Sequence, residues 1–78
     1  MLREQFGLPY SEPEFLAQLG ACIRASRGHC QISRRQLARR TGISERYLAL
    51  IEAGKGNVSI VLLLRIVYAI RSARAEIV

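Results

Sequence analysis

Arginine supplies eleven of the twelve cationic side chains in this chain. Its planar fork of donors fits phosphate oxygens and the acceptor edge of guanine better than an ammonium does. The placement of the charge narrows the chemistry further. Residues 20–57 hold Arg24, Arg27, Arg34, Arg35, Arg39, Arg40, Arg46 and Lys55 against only Glu45 and Glu52. Elsewhere Arg3, Arg65, Arg71 and Arg74 balance Glu4, Glu12, Glu14 and Glu76, so the whole formal charge of +6 belongs to that one segment. A basic stripe of this kind suits a polyanionic partner, the alternative being a solvated face.

Other chemistry is poorly provided for. One histidine and no aspartate leave no acid–base pair or nucleophile triad to assemble, so no enzyme is expected. His29 beside Cys30, with Cys22 eight residues earlier, lacks zinc-ligand spacing and a fourth ligand. No metal, cofactor or small-molecule site is therefore expected. Gly54-Lys55-Gly56 is not a phosphate loop, because no strand precedes it and no Ser or Thr follows the lysine. Two cysteines are too few for a disulfide framework, which points to reduced thiols in a cytoplasmic protein. The N-terminus has no signal-peptide pattern. The longest apolar stretch, 58–70, is interrupted by Ser59 and Arg65 and falls short of the about 20 residues that span a bilayer, so no membrane partner is expected.

The elements that must position the arginines are helices. Seventy-eight residues make one small domain, taken as 11–78 behind an N-terminal tail, 1–10, whose Leu2, Phe6 and Leu8 could dock on the core. Ser11 and Glu14 form a capping box, Pro13 fits the first turn, and Phe15, Leu16, Leu19 and Ile23 line one face of a helix over 12–27. Ser33 and Gln36 form a second box, opening a helix over 34–40. Gly42 supplies a left-handed turn residue, Ser44 caps a third helix that runs to about residue 53, and Gly54 stops it. Ser59 caps a fourth over 60–70, and a last short turn is expected over 73–77. No strand pattern or repeat occurs. The expected fold is all-α, with four to five short helices.

The segment 34–53, RRQLARRTGISERYLALIEA, has the spacing of a helix-turn-helix. Ala38 is small where two helices would cross, Gly42 accepts positive φ in the turn, and Leu37, Ile43, Leu48 and Ile51 supply the apolar contacts beneath it. The third helix then presents Glu45, Arg46, Ala49 and Leu50 outward, where they can meet base edges. The competing reading is an ordinary helical hairpin in a small bundle.

The stretch 19–70 resembles the lambda-repressor-like, Cro/C1-type (XRE family) DNA-binding domain. The resemblance rests on Ile23-Arg24, Ile32-Ser33, Leu37-Ala38-Arg39-Arg40, Gly42-Ile43-Ser44, Ile51-Glu52 and Gly54. The run SERYLALIEAGKGNVSIVLL, 44–63, is more narrowly similar to repressors of aromatic catabolism that respond to benzoyl-coenzyme A. In that group a shikimate-kinase-like effector domain follows, which 78 residues cannot also contain. A fragment or a stand-alone regulator is the expectation. Ser26 stands where the family usually has an apolar residue and Gln31 where it has glycine, so an irregular loop is expected at 28–31. Arg71 and Arg74 replace the glycine and leucine-bearing fifth helix that usually follow.

The resemblance implies a double-stranded DNA partner and assigns roles by position. Arg34 meets a phosphate and braces the first base contact, with Arg35 beside it. Glu45, Arg46 and Leu50 read bases. Ser44, Tyr47, Lys55 and Asn57 touch the backbone at either end of the recognition helix. The chemistry agrees: arginine pairs bidentately with guanine, glutamate accepts from cytosine N4, and leucine can touch a thymine methyl. Alternatives stand beside these. Glu45 also suits the first turn of a helix dipole, Tyr47 could pack on helix four, and Arg39 and Arg40 could be solvated helix ends. Glu52 is expected to be structural, bonded to a neighbouring arginine.

Helix four carries apolar residues in excess. Ile60, Leu63, Leu64, Val67 and Ile70 form the expected core stripe, leaving Val61, Leu62, Tyr68 and Ala69 outside it. That surplus suggests a homodimer through Val61, Leu62 and Tyr68, unless the tail or a last helix covers it. Three readings follow. One is a sequence-specific transcriptional regulator, a repressor. The second is a protein-interaction or antitoxin-like module using 60–70. The third, a basic amphipathic segment on acidic membranes, ranks last because charge and apolar excess lie on different helices.

Overall fold

The computed structural model describes residues 11–77, so the expected tail, 1–10, lies outside the described residues. Four helices follow in order: α1 (Glu12–His29), α2 (Arg34–Thr41), α3 (Glu45–Glu52) and α4 (Ile60–Ile77). No strand occurs among the described residues. The domain is all-α.

Each helix begins where side-chain chemistry satisfies its orphan amides. Ser11 and Glu14 close a reciprocal capping box on α1, the backbone N–H of Ser11 donating to Glu14 Oε1 at 2.6 Å. Ser33 and Gln36 do the same for α2. Ser44 Oγ accepts from the Tyr47 N–H at 3.0 Å and Ser59 Oγ from the Leu62 N–H at 3.2 Å, opening α3 and α4. The helix ends are less local. α1 runs on to His29, where the Cys30 N–H bonds Ser26 O at 3.1 Å. Gln31 then turns the chain with φ 56°, a left-handed backbone on a non-glycine residue, which is the irregularity expected at 28–31.

Packing runs through three helix pairs, α1 on α3, α2 on α3 and α2 on α4. Leu37, Leu48, Ile51 and Ile66 are the largest fully buried side chains. Gly20 is what lets α1 lie on the end of α3, since a Cβ there would stand 2.3 Å from Ile51 O and 2.6 Å from Glu52 O. Between α1 and α4 a groove of about 570 Å³ remains, floored by Ile23, Ile66 and Ile70 and edged by Ser26, Arg71 and Arg74.

Helix α4 departs from expectation twice. It is one continuous helix through residue 77, so the separate last turn at 73–77 is its continuation. Nothing at Arg71-Ser72-Ala73 breaks a helix, and extension buries Ala73 to 4 % exposure. The core stripe is also rotated. Ile66, Ala69, Ile70 and Ala73 face inward with Leu62 and Leu63 packed against them, while Ile60, Leu64 and Val67 are 85, 65 and 44 % exposed. Ala69 is therefore core, and Leu62 is half-buried on the core side rather than part of an outer patch. The small residues Ala69 and Ala73 suit α4 to lie closely on α2, where Arg40 Nη2 meets Glu76 Oε1 at 2.6 Å.

Candidate nucleic-acid interface

The turn between α2 and α3 is built from Gly42 and the buried side chains of Thr41 and Ile43. Gly42 adopts φ 75° and returns its N–H to Ala38 O at 2.9 Å. Thr41 is buried; its Oγ1 donates to Leu37 O at 2.8 Å and accepts from the Ile43 N–H at 3.2 Å. Ile43 is buried beneath the turn with Leu37 and Leu48. This bonded turn fixes the angle at which α3 leaves α2. The role of Thr41 was not foreseen, because a threonine before a glycine has no distinctive spacing.

With Leu48 and Ile51 buried, the opposite face of α3 is turned to solvent. Glu45 and Arg46 are exposed, Ala49 is half-buried, and Leu50 is 43 % exposed. Half-buried Arg34 and exposed Arg35 are the first two residues of α2, and Arg34 reaches the last residue of α3, Glu52. Lys55 and Asn57, in the loop that follows α3, are both exposed. The loop carrying them is pinned. Lys55 and Gly56 donate their N–H groups to Leu50 O at 2.9 and 3.2 Å. Gly54 takes φ 75° so close to α1 that a Cβ would stand 2.8 Å from Ala17 Cα. Tyr47 divides its roles: the ring packs against the core while the hydroxyl donates to the Asn57 carbonyl.

Glu52 ends α3 with a side chain only 2 % exposed, between two arginines. Arg27 grips both oxygens, Nε to Oε2 at 2.9 Å and Nη2 to Oε1 at 3.0 Å. Arg34 Nη2 reaches Oε1 at 3.2 Å. Burial pushes the Glu52 carboxyl up, but the bonds and charges of Arg27 and Arg34 outweigh it and hold the group below the ordinary carboxylate value. The same bond raises the Arg27 guanidinium. The expected structural bond of Glu52 is thus present, and Arg27 is a participant that spacing alone did not single out. Arg40 is tied to Glu76 on α4, whereas Arg39 stays exposed.

A short helix with an exposed face, held by a bonded turn against a partner helix, defines a helix-turn-helix domain. A family model described as "Helix-turn-helix domain" matches residues 18–77, most of the chain, and the protein belongs to that family. Comparisons with curated proteins and with solved structures give no significant match. The family points to DNA as the partner. No described helix is long and apolar enough to cross a membrane.

Proposed function

We propose that this protein is a sequence-specific, double-stranded DNA-binding transcriptional regulator of the lambda-repressor-like, Cro/C1 type. It acts as a repressor in the cytoplasm, with α3 in the major groove. The observation that carries this reading is the open face of α3, Glu45, Arg46 and Leu50, with Arg34 tied to the last residue of that helix and the pinned Lys55–Asn57 loop following it. Arg46 reads guanine, Glu45 reads cytosine, and Leu50 meets a thymine methyl. Arg34, Arg35, Lys55 and the amides near Ser44 and Asn57 register the domain on phosphates. Tyr47 supports that register through its bond to the loop.

A second reading draws on α4, where Ile60, Val61, Leu64, Val67 and Tyr68 are exposed on one helix. In the DNA-binding reading this surface joins two copies, with Val61 and Tyr68 among the contacts. Two recognition helices would then lie about 34 Å apart, one DNA turn. In the alternative, α4 binds another protein and DNA binding is incidental.

Selection of bound duplexes from a random library separates the two. A recovered motif with two half-sites supports the regulator. Arg46→Ala should then relax one base position at a cost of roughly 1–3 kcal/mol, while Arg35→Ala weakens all duplexes alike. Affinity that does not change between low and physiological salt for any duplex overturns it, because phosphate contacts release counterions.

A further inference from the structure

Two arginines share Glu52, and they hold it unequally. Arg27 is committed: Nε and Nη2 take both carboxylate oxygens, Nη1 donates to Ile32 O at 3.3 Å, and the side chain is 16 % exposed. Arg34 gives one bond, at 3.2 Å, to the oxygen that Arg27 already holds, and a third of its side chain (34 %) is open to solvent. Its Nε is buried with no hydrogen-bond partner. Charge-assisted N–H···O bonds are ordinarily about 2.7–2.9 Å, so the Arg34 bond is a long one. Withdrawing Arg34 leaves both oxygens of Glu52 bonded. Withdrawing Arg27 leaves Oε2 with nothing.

We infer that Arg34 is held in reserve on Glu52 and is handed to a DNA phosphate, Arg27 remaining behind to neutralise the carboxylate. Arg27 and Glu52 are then positioning residues for a contact that neither makes. This rests on the DNA-binding reading above. The exchange is favourable on each side. Arg34 trades one long bond for phosphate oxygens that can take its planar fork, and its Nε can gain the partner it lacks. Glu52 keeps a bidentate partner, so no buried charge is stranded. The carboxylate would otherwise repel an approaching phosphate, and the Arg27 fork removes that repulsion.

The test measures affinity and salt slope for the selected duplex with the wild type, Arg34→Ala, Glu52→Gln, Arg27→Lys and the Arg27→Lys/Arg34→Ala double variant. Arg34→Ala should weaken binding about tenfold, one charge-assisted contact, and lower the salt slope by about 0.9. Glu52→Gln should strengthen binding several-fold, because it releases Arg34. Arg27→Lys breaks the fork and turns Glu52 onto Arg34, so it should weaken binding nearly as far as Arg34→Ala. The double variant should then be no weaker than Arg34→Ala alone. A merely structural triad gives the opposite pattern: Glu52→Gln binds no better than wild type, and the two arginine losses add. Either result overturns the exchange while leaving DNA binding intact. Wild-type protein that binds no duplex at low salt overturns both. Binding is read well below each variant's melting temperature, and the arginine cycle decides the matter if Glu52→Gln does not fold.

Discussion

The seating of α1 on α3 depends on the absence of a single methyl group. An alanine at Gly20 would place its Cβ 2.3 Å from Ile51 O, 2.6 Å from Glu52 O and 2.9 Å from Glu52 C. All three are backbone atoms, so no side chain can rotate away. Carbon atoms settle at roughly 3.5–4.0 Å from their neighbours, so the helices must separate by about 1 Å. A gap of that size forfeits about a quarter to a half of each contact's attraction along the seam, and overpacked cores lose about 1–3 kcal/mol or more. Against this, replacing glycine in a helix interior gains about 1 kcal/mol in propensity. The backbone clash should dominate, for a net loss of about 2 kcal/mol. In a domain of this size that lowers Tm by roughly 8–16 °C.

Gly28→Ala is the internal control. It makes the same chemical change on the same helix, but nothing lies within 4 Å of the added Cβ. It should stabilise by about 0.5–1 kcal/mol. Urea and thermal unfolding followed by circular dichroism at the helical band would report both. Gly20→Ala as stable as the wild type, or Gly28→Ala the worse of the two, would refute the close α1–α3 approach. Because the clash falls on the carbonyls of Ile51 and Glu52, Gly20→Ala should also disturb the Arg27–Glu52–Arg34 cluster.

Three further outcomes are expected. Gln31 sits at φ 56°, a conformation that costs an L-residue about 1–2 kcal/mol. Gln31→Gly should therefore stabilise by about 0.5 kcal/mol after glycine's own entropy cost, and Gln31→Val should destabilise; urea midpoints decide. Glu52 has its pKa lowered in the fold from the ordinary 4.5. Between that value and its folded pKa the unfolded chain holds the extra proton, so stability there rises with pH. The stability difference between wild type and Glu52→Gln should be constant above about pH 5 and shrink as pH falls through the lowered pKa, seen in urea titrations across pH. Finally, Ile66→Ala should cost about 2–5 kcal/mol as a cavity in the core. Leu64→Ala, 65 % exposed, should cost the monomer under about 1 kcal/mol. Equal losses would mean that α4 packs by the other stripe.

What could be read from the chain beforehand was whatever is decided within four or five residues. Ser11 with Glu14, Ser33 with Gln36, Ser44 and Ser59 each bond their own first turn, and Gly42 and Gly54 each take positive φ just past a helix. The helix starts were legible for that reason. The face of α4 was not. Every position from 60 to 70 except Arg65 is apolar, so the periodicity cannot choose a phase. Packing against the rest of the domain chooses it instead, and it buries Ala69 and Ala73, which a search for large residues passes over. Gly20 and Arg27 were missed for a related reason. A glycine mid-helix and one arginine among many acquire meaning only when the end of α3 arrives beside them. Gln31 was half-legible: the departure from glycine marked the loop, and the left-handed backbone explains why glycine suits that position.

If α3 is the recognition helix proposed above, these fixings constrain how it can read DNA. Its start is bonded into the turn by Ser44, Thr41 and Gly42, its end is wedged on Gly20 and anchored through Glu52, and the loop beyond it is pinned by Gly54. A helix of eight residues held at both ends cannot adjust to a surface by swinging. In that proposed role a target would have to match Glu45, Arg46 and Leu50 as they stand, which would favour specificity over adaptability. The adjustable parts are the long side chains around it, above all Arg34, which spends one bond on the protein and has more to give. The exposed residues of α4 share no position with this face. In the proposed dimer a second copy seated there would add a second α3 without altering the first, and a short, fixed helix would so gain length of sequence without losing discrimination.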